Sequence, residues 1–368
     1  MRILVVNAGS SSLKLRVLGP GDEIAAKADL PALRGAASAD AAALSGPVDG
    51  FGHVDAVGHR IVHGGTLYCG PVIVTDEVRR RLGTLTDLAP LHQPKSLAAL
   101  DAVRELLPSV PAVACFDTAF HATIPPAAAT FALPSELRER WTLRRYGFHG
   151  LSHSYVSRRA AQLLATRPND PGLRVVTCHL GAGASLAAVH GGRSVDTTMG
   201  FTPLDGLVMA TRSGAVDPGL VLWLEEHAGM PPAQLAETLE YRSGLLGLAG
   251  TSDMREVLDR AASDDDRAVL ARDVYLHRLR SSIAAMAAAM DGLDALVFTG
   301  GVGENSAEIR SRAASGLGFL GVHVDEARNA GTTGEDYEIG ADGAAVRTFV
   351  IVAREDKQIA AEVRQCLD

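Results

Sequence analysis

Residues 4–17, LVVNAGSSSLKLRV, and residues 175–189, VVTCHLGAGASLAAV, decide how this chain folds. Each is a short apolar run, a turn of Gly and small residues, then a second run with partial alternation. In the first, Leu13, Leu15 and Val17 face one way and Lys14 and Arg16 the other, the period of a half-buried strand. Strand, tight turn, strand is a hairpin whose tip offers backbone N–H groups and hydroxyls to an anion. A Gly/Ser turn is, by itself, an ordinary tight hairpin. Two copies, with Lys14 beside one, point instead to a duplicated domain that holds a polyphosphate.

Composition sets the frame. At 368 residues the chain favours two domains. Its 47% hydrophobic content fills two cores, and 21% charged residues is ordinary for a soluble protein. A formal charge of −8 gives no reason to expect nucleic acid or an acidic membrane surface as partner. An anionic substrate must therefore be caught by local Arg and Lys. Cys69, Cys115, Cys178 and Cys366 are scattered and form no CxxC pair, which fits a reducing, cytoplasmic setting. No charged-then-apolar leader follows Met1. The most apolar helical stretch, 283–290, is too short to span a bilayer.

Strand and helix signals alternate along the chain, which predicts an α/β fold. Residues 19–52, rich in Gly, Ala, Pro and Asp, read as loop or a small irregular insertion. A strand over VDAVGHRIVHGG follows, then helices marked by Val78, Leu82 and Leu85 and by Leu97, Leu100 and Leu107. AVACF is a buried strand that delivers Asp117 at its C-terminal end, where open α/β sheets place ligands. The second half repeats the plan with the second hairpin, the turn at Gly191 and Gly192, and the strand SVDTT. Asp217 and Pro218 start a helix as N-cap and first residue. A long Ala-rich helix covers about 268–290. ALVFTGG is a strand leading through the loop GVGEN to a helix capped by Asn305 with Glu308 behind it. FVIVA is the last strand, and a last helix runs to the C-terminus. The domain change is expected near Ala119, giving residues 1–119 plus 357–368 and residues 120–356.

Several constellations carry chemistry. There is no GxxxxGK[ST], so the turns are not P-loops, and Leu186 breaks the GxGxxG pattern in GAGAS. GGVGEN at 300–305 is either a strand–helix loop with glycines for steric fit or a nucleotide site where missing side chains let a ligand approach the backbone. Arg60 and Arg212 stand among glycines and small residues: they either serve in surface salt bridges, the commoner fate of Arg, or reach a ligand to grip carboxylate or phosphate bidentately. His149, in RRYGFHGLSH, is a candidate catalytic imidazole, with a satisfied core histidine as the alternative. Asp117 and Glu355 each end a predicted strand, one in each half. They either cap helices or hold a hydrated Mg²⁺, which takes one or two protein carboxylates plus phosphate oxygens.

Taken in order, NAGSSSLK, GHRIVHGG, LAPLHQP, FDTAFH, RRYGFHGLSH, SVDTTMGFTPLDGL, TRSG and FTGGVGENS resemble the acetate kinase family over almost the whole chain. The resemblance implies the acetate and sugar kinase, Hsp70 and actin fold: a duplicated two-domain, ribonuclease H-like α/β architecture with an interdomain active-site cleft. It also implies a homodimer, Mg²⁺ (or Mn²⁺), and reversible phosphoryl transfer between ATP and acetate to give ADP and acetyl phosphate. Carried over by motif, Asn7, Ser10, Ser12 and Lys14 match the first phosphate loop, and His179, Gly181 and Gly183 the second. Arg60 and Arg212 match the pair that clamps the carboxylate and the transferring phosphoryl group. His149 matches the histidine that stabilises the transition state. Asn7, Asp117 and Glu355 match the residues around the metal, with Asp117 also proposed as a base in the family. His92 is a further active-site histidine, Val62, Leu91, Phe148 and Pro203 match the methyl pocket, and Gly301, Gly303 and Asn305 the adenosine site.

Physical chemistry agrees with that assignment. Acetate is ionised at pH 7, so its attack needs no strong base; positioning and charge neutralisation must supply the catalysis. Replacing Arg60 or Arg212 by Ala is expected to abolish turnover while folding survives. The chain departs from the family pattern at Ala182, where an Asn is usual, at Gln93 for Asn, at Ala215 for an acid, and at Arg354 and Asp356 beside Glu355. These departures leave propionate as an alternative acceptor, pyrophosphate as an alternative donor, and a non-catalytic nucleotide-binding protein as the reading from another class.

Overall fold

The first hairpin forms as its pattern predicts. The computed structural model describes residues 1–9, 12–31, 37–90, 92–331 and 334–368. In it β1 (Ile3–Ala8) runs antiparallel to β2 (Ser12–Leu18). Leu13, Leu15 and Val17 are buried while Lys14 is exposed. Gly9 closes the turn by donating its N–H to the Ser12 carbonyl at 2.8 Å. The strands β3 (Ile24–Pro31), β4 (Ala56–Ile61), β5 (Val72–Ile73) and β6 (Ala112–Phe116) complete a sheet of order β3-β2-β1-β4-β6-β5. Within it β1, β4 and β6 are parallel and the outer strands antiparallel.

The second hairpin repeats the design. β7 (Arg174–Leu180), β8 (Ala184–His190), β9 (Arg193–Thr197), β10 (Ala295–Thr299), β11 (Tyr337–Glu338) and β12 (Arg347–Val350) form a sheet of order β9-β8-β7-β10-β12-β11. Again the hairpin is antiparallel, and β7, β10 and β12 are parallel. Strand for strand, the order and directions match the first sheet, so the duplication read from the two hairpins extends to both whole sheets. The chain divides into two units: Met1–Ala122 with Phe148–Tyr155 and Arg354–Asp368, and Thr123–Gly147 with Val156–Ala353.

Both faces of the first sheet are covered, as parallel central strands require. Leu4, Val6 and Leu15 pack with Leu44 and Val48 of the helix Ala37–Gly50 and with Ala99 and Val103 of the helix Gln93–Leu106. Ile3 and Val5, on the opposite face, pack with Ile359, Ala360 and Val363 of the helix Glu355–Leu367. Each of the Val, Leu and Ile side chains contributes roughly 1.5–3 kcal/mol through burial. In the second unit the long helix Asp266–Ala288 buries Ala271, Tyr275, Leu279 and Ile283.

Three readings need correction. Residues 19–52 are not an irregular insertion: they contain β3 and the helix Ala37–Gly50. β3 is an edge strand of Ala, Lys and Asp, and the helix carries Pro47, so composition hid both. GVGEN is no loop either, because a short helix, Gly300–Asn305, begins directly after β10. The next helix, Ala307–Ser315, is capped by Ser306, whose hydroxyl accepts the Ile309 N–H; Asn305 instead donates its Nδ2 to the Gly301 carbonyl at 2.9 Å. Asp217 caps its helix as expected, accepting the Gly219 N–H.

Burial also traps neutral imidazoles in the first unit. His59 on β4 is fully buried, and neither ring nitrogen has a hydrogen-bond partner among the described residues. Burial lowers its pKa to about 3, with Arg104 adding to the fall and Asp101 opposing it. Burial likewise lowers His63 and His121 to about 4. Folding thus depresses these values below the ordinary histidine pKa of about 6.5. Below that pH the unfolded chain binds more protons than the native one, so stability present above pH 6.5 is lost as pH falls toward 4. Urea midpoints measured between about pH 6.5 and 5, above the carboxylate range, should fall with acidification. His59→Leu should make that slope shallower; an unchanged slope would show that His59 does not titrate with unfolding.

Candidate active site

Three parallel strands of the first unit end side by side, and each delivers a polar group there. Asn7 lies near the end of β1, Arg60 near the end of β4, and Asp117 just past β6. Arg60 donates through Nε to both Asp117 carboxylate oxygens at 3.1 Å and through Nη2 to Oδ2 at 2.5 Å. Its Nη1 reaches Asn7 Oδ1 at 3.2 Å, and Asn7 Nδ2 donates to Glu355 Oε2 at 2.8 Å. Four residues separated by up to 348 positions in the chain thus form one hydrogen-bonded row.

The electrostatics follow from burial. Asp117 is 1% exposed. Burial pushes its carboxyl above the usual range, Arg60 opposes that rise, and Glu355 adds to it. Burial works against the Arg60 charge, yet Asp117 and Glu355 more than offset it, and its pKa is raised. Each partner thus opposes the cost that burial places on the other's charge.

Glu355 corrects the sequence reading. It does not end a strand of the second half: β12 stops at Val350, and Glu355 opens the C-terminal helix, which belongs to the first unit. That helix packs Ile359 and Val363 under β4, where a Cβ on Gly58 would strike both. Packing of the helix is what brings Glu355 to Asn7.

The motif GFHG follows a different logic. His149 is a non-glycine residue with φ of 56°, in the left-handed region. Such a conformation costs of order 1–3 kcal/mol and persists only where surrounding structure enforces it. Gly150 enforces it here. Its N–H donates to the Asp117 carbonyl at 2.8 Å, and a Cβ on it would fall inside van der Waals contact of that oxygen. The strain therefore ties the His149 backbone to the residue that pairs with Arg60. Phe148, fully buried, has its carbonyl 3.0 Å from His121 Nε2.

Other expected residues take these places. Ser12 opens β2, and Lys14 lies directly across the hairpin from Asn7. Val62 is buried just past β4, and His92 precedes the helix Gln93–Leu106 as its N-cap. Ser10 and Leu91 lie outside the described residues.

In the second unit, His179 stands near the end of β7, opposite Ser185 and beside Thr299. The turn after it is closed by the Gly181 N–H donating to the Gly183 carbonyl at 3.0 Å, and the Ala182 carbonyl accepts the Ala210 N–H at 3.1 Å. Gly181, Ala182, Gly301, Val302 and Asn305 line one side of a cavity of about 740 Å³. The glycines of GGVGEN separate by role. Gly300 has φ of +78°, and a Cβ there would press on the Leu180 carbonyl, so structure demands it. A Cβ on Gly301 would meet nothing within 4 Å, so packing does not, and its openness serves the cavity. Gly303 packs beneath the turn against Cys178 and Leu180. Arg212 donates to the Pro203 carbonyl at 3.4 Å, which joins two residues expected in the site; burial lowers its pKa, opposed by Glu240 and Tyr241.

Sequence reasoning missed the cavity's other wall, formed by Ser252, Asp253, Met254, Arg255 and Leu258. Asp253 is also the N-cap of the helix Met254–Ala262, and a helix start is all that TSDMREV announces. Gln93, His63 and Thr118, which hold the Val62 turn, were likewise not picked out as site residues.

A search of family models matches residues 48–361 to the acetokinase family. The chain belongs to the acetokinase family. An acetate kinase from Shouchella clausii is 42% identical over 98% of both chains, and one from Leifsonia xyli 45% identical over 99% of this chain and 98% of its own. Among solved structures, Porphyromonas gingivalis acetate kinase superposes over the full length of both chains with a TM-score of 0.90 at 36% identity. A Francisella tularensis propionate kinase covers 98% of each chain with a TM-score of 0.88 at 35% identity. Family membership and the two-unit α/β fold thus agree with the motif reading.

The geometry revises one expectation for this family member. Removing Arg60 alone leaves Asp117 buried without its cation, which costs about 3–5 kcal/mol. Arg60→Ala should therefore lose stability as well as activity, and Arg60→Ala combined with Asp117→Asn should recover much of the melting temperature without the activity. Equal melting temperatures for wild type and Arg60→Ala would refute the buried pair. Gly150→Ala should cost about 1–3 kcal/mol through overpacking against Asp117, read by chemical denaturation.

Proposed function

We propose that this chain transfers the γ-phosphoryl group of ATP to acetate, reversibly, giving acetyl phosphate and ADP. The observation that carries the reading is the hydrogen-bonded row Asp117–Arg60–Asn7–Glu355, three of whose members stand at the ends of parallel strands, in a chain of the acetokinase family. The bond that forms joins a carboxylate oxygen to the γ-phosphorus, and the bond that breaks leaves ADP with the bridging oxygen.

Acetate arrives ionised, so no group has to deprotonate it. Arg60 retains a binding arm for an anion: among the described residues its Nη1 donates only to the neutral Asn7 amide oxygen, which a substrate oxygen can replace. Arg212 is the second cation, and His149 a donor to the oxygens of the transferring group. Adenosine is assigned to the cavity beside Gly301, and phosphates to the turns at Asn7, Ser12 and Lys14 and at His179, Gly181 and Gly183.

The donor set beside Arg60 suits a hard cation. Asn7, Asp117 and Glu355 offer only oxygen, as Mg²⁺ requires. Among the described residues no cluster of three or more acidic, His or Cys groups forms a cage, which fits a metal held largely by phosphate oxygens and water. When bound, Mg²⁺ would neutralise charge on the phosphates; Asn7, Asp117 and Glu355 would hold it.

A second copy is the proposed partner. Val216, Leu220, Leu222 and Trp223 are exposed on and just before the helix Pro218–Glu226, which buries none of its residues within the chain. Contiguous exposed apolar surface of this kind marks association. No helix among the described residues is long and apolar enough to cross a membrane, and we place the reaction in the cytoplasm.

The decisive assay traps acyl phosphate as hydroxamate, with acetate, propionate and butyrate offered against ATP and pyrophosphate. Acetate with ATP should give the highest kcat/KM, and Arg212→Ala should lower kcat by about 10²–10³. Propionate winning would reassign the substrate, and no product from any pair would leave a nucleotide-binding protein. Leu222→Glu with Trp223→Glu should shift sedimentation from dimer to monomer; a persisting dimer would place the interface elsewhere.

A further inference from the structure

The chain leaves β4 at Ile61 and enters a turn of Val62, His63 and Gly64 that is buried throughout. Buried peptide groups need partners, and among the described residues no strand pairing continues past Ile61 to supply them. Gln93 does so from the first position of its helix. Its Oε1 accepts the His63 N–H at 3.1 Å, and its Nε2 donates to the His63 carbonyl at 3.1 Å and, more weakly, to the Leu82 carbonyl at 3.4 Å. A primary amide is a peptide group in miniature, and here it pairs with both backbone groups of one residue as an adjacent strand would. The amide can face only one way, because its oxygen must meet an N–H and its nitrogen a carbonyl. Gln93 and His63 are each fully buried, so the pairing is shielded from water.

The turn is rigid beyond that pairing. The Gly64 N–H donates to Thr118 Oγ1 at 3.0 Å, one residue after Asp117. His63 Nδ1 accepts the Gly65 N–H at 2.8 Å, and burial keeps that ring neutral by lowering its pKa to about 4. The His63 ring meets Phe148 edge-on, with centroids 5.5 Å apart and planes at 74°. A path of direct contacts therefore runs from the Gln93 amide to the His63 backbone, and from there through the peptide bond to Val62 and through the imidazole ring to Phe148.

We propose that Gln93 is a positioning residue that fixes Val62 and His63 against Phe148 and so sets the length of acyl chain the site accepts. The inference rests on the acyl-kinase reading above, in which Val62 and Phe148 line the methyl pocket. With the amide in place, the turn cannot retreat to admit another methylene; without it, the buried His63 peptide must find new partners and the pocket wall moves.

The test uses the full-length protein with ATP, Mg²⁺ and the hydroxamate assay on acetate, propionate and butyrate. Gln93→Met keeps the length of the side chain and removes all three hydrogen bonds of the amide. Since one methylene is worth about 10–200-fold in an apolar pocket, the acetate-to-propionate ratio of kcat/KM should fall by about tenfold. KM for ATP should stay within about twofold, because the adenosine cavity lies in the second unit and the Gln93 amide bonds to His63 and Leu82 rather than to the residues assigned to the phosphates. A folded variant that keeps the wild-type ratio overturns the proposal. So does an equal loss for all three acids accompanied by a changed KM for ATP, which marks a general structural role. Should Gln93→Met not fold, Gln93→Asn withdraws the amide by one methylene, and the same shift in acid preference is expected; an unshifted ratio in that variant also overturns it. Wild-type protein that makes no hydroxamate from any of the three acids refutes the acyl-kinase reading itself, separately from the role of Gln93.

Discussion

The buried ion pair between Arg60 and Asp117 is the constraint around which the first unit is arranged. Taking two charges from water costs several kcal/mol for each, and geometry must repay it. Here it does so through three N–H bonds to one carboxylate and a fourth to Asn7. The fourth bond matters chemically. It leaves one end of a guarded guanidinium against a neutral amide rather than a second carboxylate, and a substrate anion can displace an amide oxygen at little electrostatic cost.

Much of this was legible in the chain. The hairpin at 4–17 announced its strands by alternation, and its echo at 175–189 announced the duplication that the two sheets carry through strand for strand. Asp117 was readable because AVACF is too short and too apolar to be anything but a central strand, and such strands present their next polar residue at a sheet's ligand edge. Asp217 was readable because an N-cap followed by Pro is a local device.

What stayed hidden was what tertiary packing creates. β3 is rich in Ala, Lys and Asp, which strands disfavour, and the helix Ala37–Gly50 carries Gly46 and Pro47, which helices disfavour; they are held where Leu44, Val48 and the sheet bury one another. Glu355 looked like a strand end because FVIVA continues apolar past Val350; only the contact of Ile359 and Val363 with the first sheet reveals which unit it serves. The left-handed backbone of His149 is not written in its side chain, since it comes from the close approach of Gly150 to Asp117. Ser252–Leu258 meets Gly301 only once both helices are in place.

The helix Glu355–Leu367 has a consequence for how the molecule is made. The face of the first sheet that holds Ile3 and Val5 is finished by residues near position 360, so β1 waits for a helix translated after every strand of the second sheet. Domains usually mature in order of synthesis, yet here the second unit's sheet is translated in full before the first can close. During that interval one apolar face of the opening hairpin stands uncovered, and the order of completion runs opposite to the order of translation.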